Sequence, residues 1–211
     1  MPRTKSNLLI TMARKGPLRA RDLDNAAIPR AYLRRLSDRG VLEQIDRGLY
    51  RLTDARVTEL HSIAEISKRV PHGIVCLLSA LQIQGLTTEA PHSVWLMIDA
   101  HARMPKVSYP QIEIVRASGA GRSHGVEIQK IEGVDVRVTT PAKTVADCFR
   151  FRRHVGLDVA LDALREYLQG RSAPRGSRTK RQGTFTVDAL MEAARADRIT
   201  TVIRPYLEAL A

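Results

Sequence analysis

The residues best placed for chemistry are the arginines between positions 19 and 51. The run Ile28-Pro29-Arg30-Ala31-Tyr32-Leu33-Arg34-Arg35-Leu36-Ser37-Asp38-Arg39-Gly40 sets cations around two leucines three residues apart. On a helix, Leu33 and Leu36 turn one way, and Arg30, Ala31, Arg34, Arg35 and Asp38 turn the other. Arg30 and Arg34, four apart, share a face. A guanidinium offers donors in a planar fork that fits two phosphate oxygens or the O6/N7 edge of guanine. The chemistry is therefore recognition of a polyanion. The N-terminal part of a recognition helix reaches the bases, so Arg30, Ala31 and Arg34 are the expected base contacts. Arg35, with Arg19 and Arg21 from the preceding segment, is expected on phosphates. Arg47 and Arg51 lie on either side of Gly48 and are expected at a minor groove or the backbone. Tyr32 is expected to lean half into the core and offer its hydroxyl to a phosphate.

Residue types that break bonds are scattered. His61, His72, His92, His101, His124 and His154 form no His-x-x-x-His pair, and neither Cys76 nor Cys148 belongs to a Cys-x-x-Cys, so the spacing predicts no metal site. The cysteines read as buried reduced thiols. There is no phosphate-binding Gly-x-x-x-x-Gly-Lys-Ser/Thr and no Gly-x-Ser-x-Gly elbow. Asp99, Glu113, Glu127 and Lys130 fall near strands but lack the acid–x–Lys spacing of metal-dependent nucleases. No catalytic residue, cofactor or metal ligand is assigned.

The arginines need elements to hold them. Leu8, Leu9, Met12 and Ala13 recur at helical spacing over about 6–14, and Gly16-Pro17 stops that helix. A second short helix is expected over 19–23. Pro29 suits the first position of a third, and Gly40 its left-handed cap. Val41, Leu42, Ile45, Leu49, Tyr50 and Leu52 around Asp46-Arg47-Gly48 read as a tight hairpin. Helix, turn, cationic helix and hairpin together are a winged helix-turn-helix.

Beyond residue 54 the pattern is mixed. Helices are expected over 58–70 and 75–85, and strands at 94–98, 112–115 and 126–128. A hairpin turns at Gly133. Helices are then expected over 142–151, 157–168, 187–195 and 202–210, with Thr140-Pro141 as N-cap and first helical position. The expected fold is α+β. A winged helix-turn-helix occupies residues 1–53, and a mixed α/β domain occupies 54–211, with a small, mostly antiparallel sheet and a helical C-terminal part. Residues 171–183 hold five Lys or Arg and no acid and read as a basic loop.

The charge balance agrees with a polyanionic partner. Lys and Arg number 34 against 22 Asp and Glu. Residues 1–53 alone hold twelve Lys or Arg against five Asp or Glu, a net of +7. Six cations on phosphates correspond to a slope of about −5 in log K against log salt. No apolar run reaches the ~20 residues of a membrane span, and the N-terminus carries no secretory apolar core, so the expected location is the cytoplasm.

The chain resembles the AbiEi antitoxins of type IV (abortive infection) toxin–antitoxin systems. The resemblance rests on Gly16-Pro17 with Arg21-Asp22-Leu23, on Ile28-Pro29 with Tyr32-Leu33-x-Arg35-Leu36-x-x-x-Gly40, and on Arg47-Gly48-Leu49-Tyr50. Ser79-Ala80-Leu81 with Gly85-Leu86-Thr87, Pro91-His92 before Trp95, Thr140-Pro141-Ala142-Lys143-Thr144-Val145-Ala146-Asp147 and Arg204-Pro205-Tyr206-Leu207-Glu208 extend it. The resemblance implies a transcriptional autorepressor binding inverted repeats in its own promoter. It also implies a C-terminal domain that counters a nucleotidyltransferase-class toxin without a stable complex. Two other functions fit the residues alone: a winged-helix regulator whose C-terminal domain senses a ligand or dimerises, and a DNA-processing enzyme.

Overall fold

The computed structural model describes residues 5–14, 16–54, 58–88, 90–107, 109–170 and 185–210. The basic stretch expected over 171–183 lies outside them.

The N-terminal elements assemble around leucines. Helix α1 (Lys5–Ala13) is followed by β1 (Leu18–Arg19), a 3-10 turn (Ala20–Leu23), α2 (Ala31–Asp38), β2 (Leu42–Asp46) and β3 (Leu49–Leu52). Leu9, Leu18, Leu23, Ile28, Leu33, Leu36, Leu42 and Leu52 form one buried core. The second expected helix is thus a two-residue strand and one 3-10 turn. Leu18 and Arg19 pair antiparallel with Tyr50 and Leu49 of β3, giving a three-stranded sheet in the order β1-β3-β2. Helix α2 starts two residues later than its proline predicts. Arg30 is the N-cap, and the Pro29 carbonyl accepts the Tyr32 N–H at 3.0 Å. The C-terminal end is as expected: Gly40 has φ +67°, its N–H reaches the Ser37 carbonyl, and the Val41 N–H reaches that of Leu36. This paired arrangement satisfies the carbonyls of the last turn.

Helix α3 (His61–Arg69) leads into β4 (Ile74–Val75) and α4 (Leu77–Gln84). Val75 belongs to a strand because it pairs with Leu96 on one side and Val138 on the other. Strands β5 (Val94–Asp99), β6 (Ile112–Ala117), β7 (Val126–Ile131) and β8 (Val134–Thr139) complete a five-stranded sheet in the order β6-β5-β4-β8-β7. The sheet is mixed rather than mostly antiparallel. Pairs β5–β6 and β4–β8 are parallel, whereas β4–β5 is antiparallel. The connection from β5 to its parallel neighbour β6 is necessarily a crossover. Between β7 and β8, Glu132 and Gly133 both take positive φ, 46° and 73°, as a tight primed turn requires.

Four-residue helices α5 (Ala120–Ser123) and α7 (Arg152–Val155) accompany the longer α6 (Pro141–Arg150), α8 (Leu157–Leu168), α9 (Val187–Ala196) and α10 (Thr200–Leu210). Thr140 and Pro141 stand at N-cap and first helical position, though the Thr140 side chain makes no capping bond. Phe149, Leu164, Tyr167, Leu190 and Ile203 are central to the core of these helices. The Tyr167 hydroxyl donates to the Thr186 carbonyl at 2.8 Å. Cys76 and Cys148 are both free and buried.

The chain divides into two units. One is Met1–Arg69 with Lys130–Val136, and the other is Val70–Gln129 with Arg137–Ala211. Within the first unit, Gly16 lies against the β7–β8 turn so closely that a Cβ there would fall 2.0 Å from the Glu132 carbonyl oxygen. Only glycine permits that approach.

Candidate nucleic-acid interface

Helix α2 is amphipathic as its spacing requires. Leu33 and Leu36 are buried, while Arg30, Ala31, Arg34, Arg35 and Asp38 are exposed on the other face. Arg30 pairs with Asp24 at 2.8 Å, both side chains being more than half exposed. Its hydrogen bond to Asp24, with the carboxylate charge, raises its pKa. A pair this exposed yields to a competing anion. The side chains of Arg21, Arg34, Arg35 and Arg47 make no ion pair or hydrogen bond with another described residue. Each is exposed, so each guanidinium keeps its full set of donors for a ligand.

The hairpin follows α2 after a single turn. Arg47 sits at its tip, where its backbone N–H donates to Asp46 Oδ1 at 2.6 Å. The Ala20 N–H donates to the Gly48 carbonyl at 2.9 Å, tying the start of the 3-10 turn to the hairpin loop. Tyr32 is half-buried and packs against the leucine core. Of the sequence-derived set, Arg30, Ala31, Arg34 and Arg35 lie along one helix face, and Arg21 and Arg47 are on the elements either side in sequence.

Two members of the set are held differently. Arg19 is half-buried and its Nη2 donates to the Lys68 carbonyl. Burial, then the neighbouring Arg21 charge, lowers its pKa against the pull of Asp22 and Asp46. Lys68 in turn pairs with Asp22 at 2.7 Å. Arg51 donates through Nε to Glu43 and lies 2.8 Å from His61 Nε2 through Nη1. Sequence spacing could not find this cluster, because His61 meets Glu132, 2.7 Å away, only after the intervening strands have formed.

A second charged cluster lies in the other unit. Lys143 is fully buried on α6. Its Nζ donates to Asp147 one turn on and to both oxygens of Asp197, each at 3.0 Å. Arg150 reaches the same Asp197 at 2.8 Å. The Lys143-x-x-x-Asp147 spacing was legible on one helix face, but Asp197 caps α9, fifty-four residues away. Gln84 Nε2 donates to the Thr139 carbonyl at 2.5 Å and to Thr144 Oγ1 at 3.0 Å beside it. Among the described residues no group of three or more His, Cys, Asp or Glu is placed to hold a metal ion. Asp99 Oδ1 accepts the His101 N–H, and Lys130 pairs with Asp135.

Residues 8–53 match the family described as transcriptional regulator, AbiEi antitoxin. That segment runs from α1 to the end of the hairpin and holds every arginine discussed above as a DNA ligand. No curated protein matches the chain. Among the described residues, no helix is long and apolar enough to cross a membrane.

Proposed function

We propose that the segment matching the AbiEi regulator family is a winged helix-turn-helix that binds duplex DNA. The chain as a whole is read as an antitoxin and autorepressor of a type IV toxin–antitoxin operon. One observation carries this reading: α2 buries its leucines and presents Arg30, Ala31, Arg34 and Arg35 to solvent, and an arginine-tipped hairpin follows at once. Arg30, Ala31 and Arg34 then read bases in the major groove, and Arg35, Arg21 and Arg47 grip phosphates. Tyr32 adds its hydroxyl to the backbone contacts. Arg19 and Arg51 contribute to phosphate binding only when they leave their internal partners.

The operator in this reading is an inverted repeat in the chain's own promoter, and the antagonised toxin is of the nucleotidyltransferase class, acting without a stable complex. The protein works in the cytoplasm, where its DNA lies, and the reading assigns it no reaction and no cofactor. Gel-shift titration with DNA upstream of the gene tests it. Saturable, salt-sensitive binding that outcompetes unrelated duplex supports the reading, and equal affinity for all sequences contradicts it.

A second reading, a regulator whose C-terminal part senses a ligand, is favoured by one feature. A groove of about 540 Å³ runs between α4 and α8, lined by Leu78, Leu81, Leu86 and Val159 together with Asp158 and Asp162. Its size is that of a small-molecule site. Growth rescue on coexpression with any toxin gene found beside this one separates the two readings.

A further inference from the structure

His61 stands at the centre of a set of charged contacts within the first unit. Its Nε2 lies 2.8 Å from Arg51 Nη1 on β3, and Arg51 Nε donates to Glu43 on β2. Its Nδ1 lies 2.7 Å from Glu132 Oε2 in the β7–β8 turn. Glu132 Oε1 also accepts the backbone N–H and the hydroxyl of Thr58, at 3.0 and 2.7 Å. On α3 itself, Glu65 Oε2 lies 3.9 Å from His61 Nε2, and Glu65 Oε1 lies 2.7 Å from Arg69. Arg69 faces Asp46 at 3.4 Å and donates to the Ile45 carbonyl at 2.9 Å.

The donor count determines the ring's protonation. A guanidinium only donates, so the Arg51 contact requires Nε2 to be the acceptor. Nδ1 then carries the proton and donates to Glu132. One neutral tautomer satisfies both partners. The imidazolium cannot, because its Nε2–H would point at an Arg51 N–H, cation against cation. The same proton strengthens the contacts with Glu132 and Glu65, so the ring stays where it is and Arg51 is the group that leaves. Arg51 is on the hairpin, and its side chain is 28% exposed, so it has a way out to solvent.

We propose that His61 is a proton-operated clamp on Arg51, holding the guanidinium inward when neutral and releasing it to a DNA phosphate when protonated. This inference rests on the reading of the first unit as a DNA-binding domain. His61 and Glu132 are positioning residues that touch no DNA. Binding that is coupled to proton uptake tightens as pH falls, by up to about tenfold per pH unit for one linked proton.

The test uses the full chain and a labelled short mixed-sequence duplex, with anisotropy titrations from about pH 8 to about pH 5.5 at fixed salt. The wild type gains affinity more steeply than His61→Gln or Arg51→Ala, and the pH slope that the three share belongs to other groups. In the free wild-type chain, 15N-detected NMR finds the ring protonated at Nδ1 at pH 8. Duplex binding with the same pH slope in wild type and His61→Gln overturns the clamp alone, as does an Nε2–H tautomer in the wild-type NMR, which needs no variant to fold. A chain that binds no duplex at any pH overturns the DNA-binding reading and the clamp with it.

Discussion

In the proposed DNA-binding reading Arg34 is the residue on which base reading most depends, since its guanidinium is exposed and unengaged by any described residue. Arg34→Ala is expected to weaken operator binding by ~1–3 kcal/mol and to relax preference at one base position, as gel shifts with single-base operator variants will show. Wild-type preference in that variant removes Arg34 from the interface. Lys143 has a different kind of importance. Its Nζ donates to both Asp147 and Asp197, so Lys143→Met leaves Asp147 without that donor and Asp197 with Arg150 alone, and is expected to cost about 3–5 kcal/mol in denaturant unfolding. Asp147 makes this cluster pH-sensitive. Burial, ahead of the opposing pull of Lys143, pushes its carboxyl from the ordinary value of 3.8 up to about 7. Its Oδ2 is buried with no hydrogen-bond partner among the described residues, as suits a carboxyl that sheds its charge. The folded state therefore holds a proton that the unfolded chain has released. The associated stability is full below about pH 4 and is lost as pH rises through about 7. Urea midpoints should fall between about pH 5 and about pH 8 in the wild type and flatten in Asp147→Asn.

At the scale of elements, α2 depends on its apolar face and its cap. Leu36 is 3% exposed in the leucine core, and Leu36→Ala is expected to cost about 2–5 kcal/mol by leaving a cavity. Gly40 isolates the backbone contribution, because a Cβ there would meet nothing within 4 Å. Gly40→Ala is accordingly expected to cost only about 1–2 kcal/mol, the penalty of a left-handed backbone. The two effects separate in thermal melts of the single variants.

Elements set by local pattern were legible in the sequence. Helix α8 spans Leu157–Leu168 as its periodicity predicts, and α2 ends at its glycine. What was not legible came from distant pairing. Leu18 and Arg19 are strand because β3, thirty residues on, supplies their partners. Val75 is strand because Leu96 and Val138 flank it. The parallel β5–β6 pair depends on the path of a connection that no periodicity records. The same holds for the site. The exposed arginines of α2 follow from helical spacing, whereas the internal engagement of Arg19 and Arg51 depends on Lys68 and His61, which reach them only in the folded chain.

For the whole molecule, the formal charge of +12 and the basic first unit would make the proposed association with DNA strongly ionic. With Arg19 engaged internally, and Arg51 likewise at high pH, three to five phosphate contacts per chain give a slope of about −3 to −5 in log K against log salt. A flat salt profile would remove the polyanion from the account. In the proposed reading the charge supplies attraction to DNA and leaves the choice of sequence to the α2 face. DNase I footprinting of the chain on the DNA upstream of its own gene reads that choice of sequence itself. The account predicts protection of an inverted repeat that disappears when Arg30 and Arg34 are both replaced by alanine in a variant that still folds. No protected repeat, or protection unchanged in that variant, would contradict it.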